Sequence, residues 1–262
     1  MDPEDVLTRP GPGPDAVVRY GDHPEHLLDV HLPVRRVDAG DAPAHVVVLL
    51  HGGFWRQRYD RTHTRPMAQG LAAAGYVVVT PEYRRSGGAG GWPRTFDDVA
   101  TALQALPRVT EVVPGGTLAG RPPVLVGHSA GGHLALWAAL RPGAPRVRRV
   151  VALAPVADLY QAHARRLGAD AVTALMGGDP AELPDAYAAA DAARLLRRPI
   201  PAAVSVIVLH GDRDRQVPLE MSRALAAASP GVDLIELAGA EHFGLIDPLS
   251  TVWPHVLAAI RR

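Results

Sequence analysis

Ser129 stands in Gly127-His128-Ser129-Ala130-Gly131, between an apolar run that reads as a strand, PVLVGH (123–128), and a second apolar run that reads as a helix. A G-x-S-x-G on a strand-to-helix bend holds the serine backbone in a strained conformation. Side chains at the two flanking glycines would clash, and the hydroxyl protrudes at the rim of the sheet. The helix that begins there favours negative charge at its start. A serine that only caps a helix would also fit the composition of the turn; its place between strand and helix favours a nucleophile.

A serine hydroxyl needs a base, and the base needs an orienting acid. On a scaffold of this kind the chain order is Ser, then Asp or Glu, then His. VIVLHGDRDRQVP supplies two acids just past an apolar run, Asp212 and Asp214, and AGAEHFGLIDP supplies His242 past the last one. Asp214 lies deeper in its loop, before Val217-Pro218, and is the favoured acid. Asp212 stays open as the alternative, otherwise capping its own turn. Acyl transfer also needs donors for an oxyanion. Ala130, next after the serine, offers one N–H. The loop LLHGGFW (49–55) offers others from Gly53 and Phe54, with Gly52 either contributing or shaping the turn. His51 reads as a residue holding that loop by a hydrogen bond.

These groups must be carried by strands that finish at one rim. AVVRY and LLDVHLP read as an antiparallel pair at a sheet edge. The buried strands HVVVLL (45–50), YVVVT (76–80) and VSVIVLH (204–210), and the further strands PVLVGH, VRRVVALAP (147–155) and VDLIEL (232–237), then alternate with helical spacings near 65–74, 95–109, from 129, 219–228 and 249–262. Alternation of this sort predicts an α/β fold with a mostly parallel sheet covered on both faces. Functional groups collect at the carboxyl ends of such strands. Residues 156–199 break the alternation and read as a short helical, cap-like insertion. Residues 1–15, acidic and rich in proline, read as a flexible tail. The domain proper is 16–262.

The chain of 262 residues is 47% hydrophobic, enough for a substantial core, and its formal net charge of +0 gives no nucleic-acid footprint. It has no cysteine, which excludes disulfides and thiolate chemistry, and no lysine, which excludes a Ser-Lys dyad, a Schiff base or a P-loop. Its Arg, Ala, Gly and Pro content suits a GC-rich bacterial genome. The start lacks the basic and apolar regions of a signal peptide, and no apolar run is long enough to span a bilayer, so the expected location is cytoplasmic, away from membranes. His23, His26 and His31 straddle a turn and a strand without a matching ligand set, so they are edge residues and no metal is expected. His133 is a packing residue, and Asp97 and Asp98 suit a helix start. With aromatics at only 5%, Phe54, Trp55, Tyr83 and Phe243 around the site suggest a pocket wall, completed by Leu159 and Tyr160, although each also fits ordinary core packing.

Taken together, HGGFW, PEYRR, GHSAGGHLAL, HGDRDRQVP and AEHF resemble, in order, the blocks of the α/β-hydrolase superfamily, from about residue 16 to the C-terminus. Within it the chain is similar to the esterase group that includes bacterial feruloyl-esterase-like enzymes and kynurenine formamidases. His51-Gly52-Gly53-Phe54-Trp55 matches the formamidases' H-G-G-x-W. Phe54 in place of a third glycine, and His128 before the serine, separate it from the hormone-sensitive-lipase group. The resemblance implies Ser129 as nucleophile, Asp214 as acid and His242 as base, working through an acyl-enzyme with no metal or organic cofactor. It implies small esters or amides as partners, N-formylkynurenine being the sharpest candidate and aryl or short-acyl esters the alternative. A peptidase and a non-catalytic small-molecule binder are the remaining rivals. A homodimer is left open.

Overall fold

The protein is described by a computed structural model covering residues 4–33, 44–113 and 118–262. Each apolar run of the sequence becomes a strand: β1 (Ala16–Arg19), β2 (Leu27–His31), β3 (Val46–Leu50), β4 (Val77–Pro81), β5 (Val124–His128), β6 (Arg149–Leu153), β7 (Ser205–Gly211) and β8 (Val232–Leu237). They form one sheet in the order β1-β2-β4-β3-β5-β6-β7-β8. The first two pairings, β1 with β2 and β2 with β4, are antiparallel, and all the others are parallel.

Continuous apolar strands are what a sheet buried on both faces requires, because successive side chains point to opposite sides. Val48, Leu50, Leu125, Val150, Ala152, Val206 and Val208 join one core, with the helices Arg94–Gln104, Ala130–Leu140 and Leu219–Ala228. The alternate residues Val47, Leu49, Val124, Val126, Val151, Leu153, Ile207 and Leu209 join the other, with Arg65–Ala73 and Trp253–Arg261. The helix Ala130–Leu140 has Ala130 to Ala139 all buried, so it shows no polar stripe. At about 1.5–3 kcal/mol for each fully buried large aliphatic side chain, Leu134 and Leu136 alone make it a strong anchor for whatever its first turn carries.

Strand succession turns back between β3 and β5: β4 lies on one side of β3, whereas β5 lies on the other. That reversal opens a crevice at the carboxyl ends of neighbouring strands, where open sheets bind ligands. Ser129 follows β5 there, and the His51–Trp55 loop follows β3. Residues 159–196, between β6 and β7, form four short helices, Leu159–Ala164, Leu167–Met176, Pro184–Ala190 and Ala192–Leu196. The helix expected over 95–109 ends at Gln104 and continues as a 3-10 segment, Leu106–Glu111, because Pro107 cannot extend an α-helical ladder.

Residues 1–15 are the segment expected as a tail. Residues 1–3 lie outside the described residues; from Glu4 onward the segment packs on the body. Asp5–Thr8 is a helical turn, Val6 is 1% exposed within the second core, and Arg9 makes a two-pronged ion pair with Asp247. The composition of a tail was present, but its anchors, the core around Met67 and Leu71 and the carboxylate of Asp247, are distant in sequence.

Candidate active site

Ser129 lies at φ 56°, ψ −117°, a left-handed conformation that L-residues rarely hold. Its N–H donates to the Leu153 carbonyl at 2.8 Å and its own carbonyl accepts from His133 and Val156, so the bend is stitched to β6 on either side. The flanking glycines allow this by close approach rather than by flexibility. A Cβ on Gly131 would lie 2.1 Å from the Leu50 carbonyl oxygen, and one on Gly127 would lie 2.1 Å from the Gly131 oxygen. The first turn of the helix therefore rests directly on the end of β3. Gly131→Ala is expected to cost about 3 kcal/mol or more by overpacking backbone, seen as a fall in Tm of roughly 6–12 °C at about 2–4 °C per kcal/mol. Gly13→Ala, where an added Cβ meets nothing within 4 Å, should leave Tm in place. Equal behaviour of the two variants in thermal unfolding would remove this account of the turn.

Of the two acids after β7, the structure brings Asp214 to His242: the His242 ring Nδ1 lies 2.6 Å from Asp214 Oδ2. Asp212 is exposed and instead accepts the Gly239 N–H at 2.7 Å. Asp214 is held on every side. Oδ1 accepts the N–H groups of Gln216 and Val217, each at 2.8 Å, and Oδ2 also faces His210 Nε2 at 3.3 Å. Burial alone would raise its pKa. Hydrogen bonds from His210 and His242, the adjacent His242 and the Val217 N–H outweigh that and hold the carboxyl well below the usual carboxylate range. The group is thus an anion aimed at the ring, able only to accept.

Ser129 and His242 open onto the same cavity of about 320 Å³, which is also lined by Gly53, Phe54, Tyr59, His63, His128 and Phe243 among others. Roughly 300–1,000 Å³ is usual for small-molecule sites, so this one is at the small end. Gly52 lies behind the lining: a Cβ there would approach the His128 carbonyl oxygen to 2.9 Å and the Ser129 Cβ to 3.3 Å. Gly53 and Phe54 both have positive φ, 102° and 50°, a tight reversal that presents the loop to the cavity. Ala130 is the first residue of its helix, where an N–H has no partner within the helix.

The residues expected to form an aromatic wall fall in different places. Phe54 and Phe243 line the cavity, but Trp55, Tyr83, Leu159 and Tyr160 do not. Trp55, Tyr83 and Leu159 are wholly buried in the first core, and Tyr160 is exposed with its ring on Tyr187. Positive φ at both Phe54 and Trp55 turns the chain so that the indole points inward. Tyr83 is structural: its hydroxyl donates to the His51 carbonyl at 2.7 Å and its ring stacks on His51. His51 has Nδ1 at 2.9 Å from the Gly52 carbonyl and Nε2 at 3.0 Å from Glu82, and burial, then the charge of Arg85, pushes its pKa down to about 3. The ring, held between these two acceptors and the face of Tyr83, fixes the glycine loop.

Three contributors escaped sequence reasoning. His128, inside the G-x-S-x-G, places Nε2 3.0 Å from the His242 carbonyl, tying the two loops together; burial, then His242, holds its pKa well down. His210 is wholly buried, with Nδ1 2.7 Å from Ser222 Oγ and Nε2 2.9 Å from the Val217 carbonyl, so it braces the turn that holds Asp214. Arg56 donates to the Gly168 and Ala169 carbonyls, clipping residues 168–169 over the glycine loop. His26 and Asp98 also gain a role. Asp98 is buried and accepts from Arg84 through Nε and Nη2, at 2.8 and 2.6 Å, and lies 3.0 Å from His26 Nε2, rather than serving a helix start. Among the described residues no group of three or more His, Asp or Glu could hold a metal, and no helix is long and apolar enough to cross a membrane.

A mostly parallel eight-stranded sheet with helices on both faces, and a serine elbow at its switch point, define an α/β-hydrolase fold. Residues 28–228 match the model of the BD-FAE family, and the chain belongs to that family. It is 30% identical over 260 residues to Esterase LipC of Mycobacterium tuberculosis, an alignment covering 89% of this chain and 61% of LipC. It is 32% identical over 161 residues to the probable carboxylic ester hydrolase LipM of the same organism, covering 56% of this chain and 35% of LipM. The chain therefore spans less than two thirds of either relative. In fold it superposes on a truncated carbohydrate esterase from gut microbiota with TM-score 0.77 at 20% identity, over 96% of this chain and 100% of that one. It superposes on esterase B of Lactobacillus rhamnosis with TM-score 0.76 at 21% identity, over 99% and 88%.

Proposed function

We propose that the chain is a serine hydrolase of small carboxylic esters. The observation that carries this reading is a strained serine sharing one small cavity with a histidine whose far ring nitrogen is bound to a buried, ionised aspartate. Ser129 Oγ attacks the acyl carbon while His242 takes its proton, and the same proton passes to the departing alcohol. Water then attacks the acyl-enzyme, His242 again serving as base, and the carboxylic acid leaves with Ser129 restored. Asp214 orients the imidazole and stabilises its cation. The N–H groups of Gly53, Phe54 and Ala130 hold the oxyanion, with Gly52 fixing their loop. The esterase names of LipC and LipM support the choice of bond.

The H-G-G-F-W loop supports a second reading, hydrolysis of aryl formamides such as N-formylkynurenine, for which a compact acyl space suffices. A panel of aryl acetates, butyrates and N-formylkynurenine separates the two. Short-acyl esters are expected to exceed the formamide in kcat/KM by about tenfold or more, the scale of a one-group difference in a fitted pocket. A formamide turned over faster than every ester reverses the assignment.

A further inference from the structure

The segment that composition marks as a tail reaches the cavity. Glu4 and Leu7 line it together with Ser129 and His242. Between and beyond them the segment is fixed at three points. Val6 is buried in the second core with Val47, Leu49, Met67 and Leu71. Arg9 places Nη1 and Nη2 at 2.6 and 2.9 Å from the two oxygens of Asp247. Gly11 passes so close over the start of the helix Arg65–Ala73 that a Cβ would come within 2.8 Å of Arg65 Cβ.

These anchors are on the elements that build the site. Asp247 directly follows the 3-10 segment His242–Ile246 and also accepts the Leu249 N–H at 2.9 Å. Arg65 follows the 3-10 segment Arg61–Thr64, whose His63 faces the cavity. A fork-to-fork arginine–carboxylate pair fixes orientation as well as position, so Leu7, between Val6 and Arg9, is presented and not merely nearby. A neighbouring depression of about 260 Å³ shares Glu4, Gln216, His242 and Phe243 with the cavity. The segment therefore stands where a longer substrate would run from one into the other.

We infer that residues 4–9 form a strap that closes one side of the ester site and sets the largest substrate it accepts, with Leu7 as the size-determining residue and the Arg9–Asp247 pair as its fastening. This rests on the hydrolase reading given above.

The test uses the full chain and nitrophenyl esters from acetate to octanoate, with Leu7→Ala, Leu7→Trp and Arg9→Ala. The octanoate-to-acetate ratio of kcat/KM is expected to rise about tenfold in Leu7→Ala and Arg9→Ala and to fall about tenfold in Leu7→Trp. The ratio isolates fit from any change in total activity, and the two Leu7 variants stand in should loss of the ion pair prevent folding. A ratio fixed within about twofold in every folded variant, whatever happens to Tm, overturns the strap and leaves the hydrolase standing. Labelling of Ser129 by short- and long-chain fluorophosphonates should follow the same order. A wild-type chain that neither turns over any ester nor takes up label overturns the parent reading and the strap with it.

Discussion

Ser129→Ala is expected to reduce ester turnover by about 10⁶-fold, the scale on which nucleophile removal acts when base and acid work only through it. What remains is whatever the oxyanion donors and binding supply. The fold should persist, because the bend depends on atoms the substitution leaves in place: the Ser129 N–H to Leu153 and the contacts of Gly127 and Gly131. A second substitution separates strain from chemistry. Alanine keeps a Cβ and so keeps the penalty of φ 56°, ψ −117°. Glycine relieves it. Strain at such positions is about 1–3 kcal/mol, against about 0.5–1 kcal/mol for glycine's extra chain entropy. Ser129→Gly should therefore be inactive yet raise Tm above both wild type and Ser129→Ala, by a few degrees at roughly 2–4 °C per kcal/mol. Turnover within about a hundredfold of wild type in either variant sinks the acyl-enzyme mechanism. An unchanged Tm in Ser129→Gly would show that the bend is unstrained.

The inner strands were readable because burial on both faces writes itself as short apolar runs, and a residue's place along such a run hardly matters to the pattern; the edge strands β1 and β8 are partly exposed and show only as short runs between turns. The rim residues were readable for a different reason. A G-x-S-x-G between strand and helix, with acid and histidine loops following later strands, leaves few places where parallel strand ends can meet. What escaped is set by side-chain direction or by contacts distant in sequence. Trp55 and Tyr83 flank the site in the chain, but one is turned inward by positive φ and the other is spent on holding His51. The strap depends on Arg9 meeting a carboxylate 238 residues away, which no local pattern in MDPEDVLTRPGPGPD announces. His210 read as the last residue of a strand, and only the folded turn shows its ring against Asp214.

The two acids of HGDRD provide the second large effect, because sequence left them as alternatives and geometry treats them differently. Asp214→Asn should lower kcat by roughly 10⁴-fold, the cost of an amide that can stabilise the wrong tautomer of the base and cannot balance its cation. The Gln216 and Val217 N–H groups would still find an oxygen at Oδ1, so the loop should fold and the loss should appear in kcat more than in KM. Asp212→Asn keeps an acceptor for the Gly239 N–H on an exposed residue, and its rate should remain within about twofold, in line with surface changes of about ±0.5 kcal/mol. Steady-state kinetics on one nitrophenyl acetate series decides between them. A reversed ranking would transfer the orienting role to Asp212, against the 2.6 Å contact between Asp214 and His242. Equal, small losses in both variants would mean that His242 works without an acid, and that the buried anion braced by His210, Gln216 and Val217 serves only the turn.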